Sequence, residues 1–127
     1  MTALGSKCVY VIDDDAEVLN STAFLLPALG YDCATFGVAS EFVERAAELP
    51  AGCVLTDLRM PGMDGFELAV ALKGQALDWP MIMMTSDDGP ALERQALEHG
   101  FTSVLRKPVD AELLVDALAR VFAAVNS

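Results

Sequence analysis

Residues 53–65 of the chain read CVLTDLRMPGMDG, and they contain the unit from which the fold can be inferred. A short apolar run, residues 53–56, ends at Asp57, and a helical pattern follows over about residues 65–74. The run is continuously apolar and does not alternate with polar residues, which is typical of a strand that is covered on both faces. We therefore predict a buried strand followed by a helix.

The same alternation of apolar runs and helical patterns extends to both sides of this unit. Pro90 and Asp110 stand at predicted helix starts, and Gly30 and Gly100 follow predicted helix ends. Pro27 removes one hydrogen bond from the first helix, where we expect a local distortion. The pattern predicts a (βα)5 domain, a parallel sheet with helices on both faces. The other apolar runs are residues 8–12, 31–36, 81–84 and 102–105, and another helix is predicted over about residues 39–48.

Length and charge narrow the classes of function. The 127 residues suit a single domain, residues 1–127, with a core over about residues 7–124. The net charge of −11 repels phosphate backbones and acidic membranes, so we expect neither nucleic acid nor a membrane as a direct partner. No apolar run is long enough to span a membrane, and residues 1–7 lack the apolar segment of a secretory signal. Together these features predict a cytoplasmic protein.

The cysteines and the lone histidine do not form a recognisable site. Cys8, Cys33 and Cys53 have no C-x-x-C spacing, and each lies in or beside an apolar run, so they are interpreted as buried thiols. His99 precedes Gly100 and is interpreted as a solvated side chain at a helix end.

Polar side chains stand at the predicted carboxyl ends of four strands. A parallel sheet brings these ends to one edge, where ligands of such sheets bind. The residues are Asp13, Asp14 and Asp15 after the first strand, Asp57 after the third, Thr85 after the fourth and Lys107 after the fifth.

These side chains suit phosphoryl chemistry. Carboxylates held close together repel one another, and a divalent cation such as Mg²⁺, which prefers oxygen ligands, relieves that repulsion. Lys107 adds a positive charge and Thr85 a hydroxyl, which together suit the oxygens of a phosphoryl group. Asp57 would then be a competent nucleophile that forms an aspartyl phosphate. Alternatively these acids cap helices, an interpretation that is strongest for Asp15.

At these residues the chain resembles the response-regulator receiver family of two-component signalling. The resemblance covers about residues 9–122 and is greatest to receivers that precede helix-turn-helix transcription factors of the nitrogen-fixation regulator (FixJ-like) branch. It implies a doubly wound, flavodoxin-like (CheY-like) sheet with strand order 2-1-3-4-5. The motifs that carry it are VIDDD at residues 11–15, LTDLRMPGMDG at residues 55–65, MTS at residues 84–86 and RKP at residues 106–108.

The resemblance implies a role for each site residue. Asp57 would accept the phosphoryl group, Thr85 would hydrogen-bond it after transfer, and Lys107 would form an ion pair with it. The bond between Lys107 and Pro108 would be cis. Mg²⁺ would be held by the side chains of Asp14 and Asp57, by the backbone carbonyl of Arg59, and through water by Asp13.

The resemblance also implies the partners. The phosphoryl donor would be a histidine kinase or a histidine phosphotransfer protein, and the signal would pass to a downstream protein or an output domain, including one that regulates transcription. A homodimer through the face of the fourth helix, fifth strand and fifth helix is a further expectation. The chain would not be an enzyme with a separate substrate, because it would catalyse only its own phosphorylation and dephosphorylation.

Four positions carry expectations of their own. Gly62 and Gly65 follow the acceptor, in a loop where we expect positive φ. The family usually has Tyr or Phe three residues before the lysine, where this chain has Val104, so ring rotation cannot transmit the signal. Trp79 precedes the fourth strand, and we expect it at the amino edge of the sheet, away from Asp57.

Other hypotheses concern the site itself. Arg59 and Asp87 are expected to flank it, where an ion pair between them would restrict attacking water; two independently solvated side chains are the alternative. Asp13-x-Asp15 faintly resembles phosphatases of the haloacid dehalogenase type, although Glu17 stands where those have Thr or Val. A receiver-like domain that only binds partners is the remaining alternative.

Overall fold

The structure, a computed structural model, describes residues 7–126. Five parallel strands form one sheet in the order β2-β1-β3-β4-β5, which confirms the predicted fold class. The strands are β1 (Cys8–Ile12), β2 (Asp32–Phe36), β3 (Cys53–Asp57), β4 (Met81–Thr85) and β5 (Phe101–Arg106). The helices are α1 (Ala16–Ala28), α2 (Ala39–Ala46), α3 (Gly65–Gly74), α4 (Pro90–Glu98) and α5 (Ala111–Asn126).

Two apolar cores lie on opposite faces of the sheet. Every residue of β1, β3 and β4 is buried, as the continuous apolar runs predict. One core joins the sheet to α2, α3 and α4 through side chains such as Phe42, Leu68 and Leu92. The other joins it to α1 and α5 through side chains such as Leu26 and Leu118. The three central strands are therefore covered on both faces, and each helical crossover returns the chain to begin the next strand in the same direction.

The helix ends follow their local sequence. Asp15 Oδ1 accepts a hydrogen bond from the Glu17 N–H at the start of α1, and Asp110 Oδ1 caps α5 in the same way. Gly30 and Gly100 have φ of 93° and 91°, the left-handed conformation that ends a helix at low cost. Pro90 opens α4 as predicted.

Several boundaries differ from the sequence prediction. The prediction that α2 reaches residue 48 is wrong, because the Glu48 N–H bonds to Arg45 O, three residues back, and regular α-helix ends at Ala46. Pro27 remains inside α1, which ends one residue later. β5 is longer than predicted and contains a register shift opposite Met81 and Ile82.

The described residues also bear on three smaller expectations. Trp79 stacks on Tyr10, with ring centroids 5.6 Å apart, in the core beneath α2 and before β4 begins, as predicted. Cys8 and Cys53 are buried as predicted, whereas Cys33 is only half-buried. Partial or full burial raises the pKa of Cys33 to about 11 and that of Cys53 to about 12, so both thiols are protonated at neutral pH. The prediction that residues 1–7 lack a secretory signal concerns mainly residues 1–6, which lie outside the described part of the chain. Across residues 7–126, every helix is too short or too polar to traverse a lipid bilayer.

Candidate functional site

The strand order brings the predicted site residues together at the carboxyl edge of the sheet. β3 lies between β1 and β4, so Asp57 at the end of β3 is central. Asp13 follows β1 directly, and Thr85 is the last residue of β4. Lys107 follows β5, and its backbone N–H donates to Thr85 O at 2.8 Å, which continues the sheet to the edge of the site.

Lys107 connects two acidic side chains. Its Nζ lies 2.9 Å from Asp13 Oδ2 and 3.3 Å from Asp57 Oδ2. Asp13 is completely buried and Asp57 is 7% exposed, so these contacts lie in a region of reduced solvent screening. The peptide bond between Lys107 and Pro108 is cis, as expected.

A third carboxylate completes an acidic cluster. Asp13, Asp14 and Asp57 each place an oxygen within 4.8 Å of the others, and Asp14 is exposed to solvent. Asp13 Oδ1 accepts from the Asp15 N–H at 2.9 Å, which fixes the orientation of the buried carboxylate. Clustered carboxylate oxygens with one solvent-facing member are a donor set that fits a hard divalent cation. The cluster could therefore hold a metal ion.

The electrostatics of the cluster favour a further cation. Burial raises the pKa of Asp57, and the neighbouring Asp13 charge raises it further, while Lys107 and the Arg59 N–H oppose both effects. Burial alone would lower the pKa of Lys107, but its contacts with Asp13 and Asp57 outweigh burial and raise it. The lysine therefore stays charged, yet it does not fully offset the cost of ionising Asp57.

The fourth strand contributes a buried hydroxyl that is linked to the next loop. Thr85 is fully buried, and its Oγ1 accepts from the Asp87 N–H at 3.0 Å. Any movement of this hydroxyl toward Asp57 would remove the acceptor of the Asp87 N–H. Thr85 thus couples the site to residues 86–89, which lead into α4.

Arg59 and Asp87 form the ion pair that the sequence suggested. Asp87 Oδ2 accepts from Arg59 Nε at 3.0 Å and from Arg59 Nη2 at 2.7 Å. The pair joins the loop after β3 to the loop after β4, and its side chains are 72% and 40% exposed. Such an exposed pair contributes little to stability, so its interest lies in its position.

The loop after Asp57 corrects one prediction. Gly62 has φ of 83°, as expected, but positive φ at Gly65 is wrong. Gly65 is required for a different reason, since a Cβ there would lie 3.0 Å from Asp57 O and 3.2 Å from Leu58 Cα. The start of α3 therefore packs directly under the acceptor strand.

A capping box fixes this loop, and the sequence reasoning missed it. The Asp64 side chain accepts from the Glu67 N–H, and the Glu67 side chain accepts from the Asp64 N–H, at 2.8 Å and 2.9 Å. An Asp followed three residues later by a Glu was the signal that could have revealed it.

Asp15 stands apart from the cluster. It is exposed, and its side chain caps α1. Within residues 7–126 the acidic cluster has Asp13, Asp14 and Asp57 as its members. The Asp13-x-Asp15 pair of the phosphatase hypothesis is therefore not assembled into one site.

A cleft of about 530 Å³ opens beside the cluster, between α1 and the segment that follows β5. Its lining includes the apolar side chains of Val18, Leu25 and Leu114, together with Lys107. The cleft therefore reaches the site at Lys107.

Comparison with known proteins identifies relatives. The family described as the response regulator receiver domain matches residues 9–119. The chain is 38% identical over 106 residues to the transcriptional regulatory protein FixJ of Bradyrhizobium diazoefficiens, covering 84% of this chain and 52% of that protein. It is 33% identical over 112 residues to the tetrathionate response regulatory protein TtrR of Salmonella typhimurium, covering 88% and 54%. The chain therefore spans about half the length of these curated relatives.

Solved structures of FixJ have the same fold as this chain. The crystal structure of FixJ-N superposes with a TM-score of 0.84 at 28% identity, covering 93% of this chain and 94% of that one. Full-length FixJ from B. japonicum superposes with a TM-score of 0.86 at 34% identity, covering 94% and 59%.

Proposed function

The chain belongs to the response regulator receiver domain family, and from that membership we propose that Asp57 is the residue that accepts the phosphoryl group. Receivers of this family are the phospho-accepting modules of two-component systems. The observation that carries the assignment to Asp57 is its position: a buried carboxylate at the centre of the sheet edge, in contact with Lys107 and beside Asp13 and Asp14.

In the proposed reaction a phosphoryl group passes from a nitrogen or oxygen atom of the donor to a carboxylate oxygen of Asp57. A carboxylate oxygen of Asp57 attacks the phosphorus of the donor, and the bond from phosphorus to the donor atom breaks. The donor's leaving group departs with the electron pair of that bond. Lys107 holds a positive charge within reach of the phosphoryl oxygens, so charge that develops during transfer meets a preorganised cation.

Mg²⁺ is the cation that we propose for the acidic cluster. The side chains of Asp14 and Asp57 and the backbone carbonyl of Arg59 would hold it directly, and Asp13 would hold it through water. When bound, it supplies charge neutralisation at the phosphoryl oxygens. The exposed Asp14 and the buried Asp57 fit that task, since one faces solvent and the other faces the reacting group.

Two side chains act after transfer. The hydroxyl of Thr85, at the end of the adjacent strand, donates a hydrogen bond to a phosphoryl oxygen. Lys107 remains ion-paired with the phosphoryl group. If the hydroxyl moves toward the phosphoryl group to make this bond, its contact with the Asp87 N–H lengthens, and the loop over residues 86–89 changes its hydrogen bonding. This change is the start of the switch, because α4 follows the loop directly.

The partners are proposed from the same membership. A histidine kinase or histidine phosphotransfer protein donates the group. A downstream protein or output domain receives the signal, which fits relatives named as transcriptional regulatory proteins, of which this chain matches about half the length. A homodimer through α4, β5 and α5 is the proposed assembly. The protein is a signalling module that catalyses only its own phosphorylation and dephosphorylation.

The test is intact mass after incubation with acetyl phosphate, with Mg²⁺ or with a chelator. The native chain should gain one phosphoryl group only with Mg²⁺, and Asp57→Asn should gain none. If the native chain gains nothing, released inorganic phosphate decides: release above the Asp57→Asn background indicates rapid self-hydrolysis. No adduct and no such release would favour a receiver that only binds partners and would overturn the proposal.

A further inference from the structure

Arg106, the last residue of β5, has one arm of its guanidinium group at the surface and the other inside. Nη2 lies 3.6 Å from Glu93 Oε1 in the first turn of α4, a long contact for an ion pair. Nη1 is buried and has no hydrogen-bond acceptor among residues 7–126. Native structures rarely leave a buried donor unpaired, so this atom needs an explanation.

The position of Arg106 within the sheet supplies part of that explanation. Residues two apart on a strand share a face, so Val104 and Arg106 both project toward α4. Val104 is half-buried and packs against the core that contains Leu92 and Ala96 of that helix. The contact region between β5 and α4 therefore holds a short apolar side chain and an incompletely satisfied arginine.

The same contact region is connected to the acceptor site. Arg106 stands opposite Thr85 in the parallel ladder, and Thr85 Oγ1 accepts from the Asp87 N–H. Residues 86–89 run from Thr85 to the start of α4, close to the end of β5 that carries Arg106. Main-chain carbonyls of this loop are thus the acceptors that a small rearrangement could offer to Nη1.

We propose that Arg106 is the switching residue of the contact region between β5 and α4, in place of the aromatic ring that this chain lacks. In the unphosphorylated state Nη1 is buried without an acceptor, which costs free energy. When Thr85 turns to the phosphoryl group, the loop over residues 86–89 shifts and one of its carbonyls accepts from Nη1. The inference rests on the proposed phosphorylation of Asp57 and names the element that transmits it.

Amide hydrogen exchange over residues 86–98 tests the proposal, with and without beryllium fluoride and Mg²⁺ as a stable phosphoryl mimic. The native chain should show changed exchange across this segment. Arg106→Met, which keeps length but removes the donors, should lose the response over α4, residues 90–98, while its mass gain from acetyl phosphate stays native. Glu93→Gln is the matched control, because it removes the surface charge pair and leaves Nη1 in place, so it should respond as the native chain does.

A response in Arg106→Met equal to the native one would overturn the proposal. A native chain that showed neither the mass gain nor phosphate release above the Asp57→Asn background would instead overturn the proposed function, so the two failures are distinguishable. If Arg106→Met does not fold, the native chain still decides through the guanidinium proton resonances of Arg106. A new hydrogen bond at Nη1 should slow their exchange when the mimic binds, and unchanged exchange would refute the idea.

Discussion

The ammonium of Lys107 lies 2.9 Å from the carboxylate of Asp13, although 94 residues separate them in the chain. The contact exists because β1 and β5 are parallel strands of one sheet and both end at its carboxyl edge. Asp57, on the strand between β1 and β4, is held within 3.3 Å of the same ammonium. The order of the strands therefore places the ammonium of Lys107 in contact with both carboxylates.

Removing that lysine should impair phosphoryl transfer much more than folding. In Lys107→Met the preorganised positive charge is absent, so we expect the rate of mass gain from acetyl phosphate to fall by about 100-fold. Lys73→Met is the matched control, because Lys73 is exposed in the last turn of α3, and its rate should be native. A native rate in Lys107→Met would show that the lysine does not take part in transfer.

Mg²⁺ should stabilise the fold through Asp14. At a concentration 100 times its dissociation constant, a ligand that binds only the folded state adds about 2.7 kcal/mol to the free energy of unfolding. We expect thermal or urea unfolding to show such a gain in the native chain and a clearly smaller one in Asp14→Asn. Asp15→Asn removes a neighbouring charge but keeps a side chain that can cap α1, so its gain should remain native.

The same titration tests the position of Trp79. Its ring stacks on Tyr10, in the core beneath α2 and before β4 begins, whereas the acidic cluster lies at the carboxyl ends of the strands. Its fluorescence should therefore respond weakly when Mg²⁺ binds, and a large quench at saturating Mg²⁺ would contradict this arrangement.

The ion pair between Arg59 and Asp87 should lengthen the life of the phosphoryl group. It joins the two loops on either side of Asp57, so Asp87→Ala should admit water more readily and shorten the half-life of the phosphorylated protein several-fold. Unfolding free energy should change by less than about 1 kcal/mol, because the pair is exposed. Asp88→Ala, a change at an exposed neighbouring acid, is the control for lost charge. If Asp87→Ala and Asp88→Ala gave equal half-lives, the ion pair between Arg59 and Asp87 would not control hydrolysis of the phosphoryl group.

A side chain at position 65 should destabilise the fold. A Cβ at this position meets Asp57 O at 3.0 Å and Leu58 Cα at 3.2 Å, so Gly65→Ala should destabilise the fold by about 1–3 kcal/mol and slow phosphorylation. Gly74→Ala is the informative comparison, because a Cβ there has open space at the end of α3. That change should stabilise the fold by up to about 1 kcal/mol, as measured by urea unfolding. Destabilisation of similar size in both variants would argue against close packing beneath Asp57.

The sequence predicted the sheet and the contents of the site because both depend on short-range patterns. Continuous apolar runs indicate strands buried on both faces, and the polar residue that follows each run is then placed at one edge. Asp13, Asp57 and Lys107 meet as expected for this reason, and Thr85 ends the strand beside Asp57.

Features that depend on how helices and strands pack together were harder to predict from the sequence. The need for Gly65 comes from its approach to the backbone of β3, which no turn pattern encodes. The extra residue of β5 opposite Met81 and Ile82 is a property of strand pairing and not of β5 alone. The burial of Arg106 Nη1 likewise depends on the placement of α4, so it could not be predicted even though Arg106 directly precedes the predicted site residue Lys107.

The most direct test of the central claim is to locate the phosphoryl group at residue level. The native chain would be incubated with acetyl phosphate and Mg²⁺, reduced with borohydride, which converts an acyl phosphate to the corresponding alcohol, and mapped by peptide mass. The account predicts that homoserine appears at position 57 alone and only when Mg²⁺ was present. Conversion of Asp13 or Asp14 with an unmodified Asp57 would contradict it.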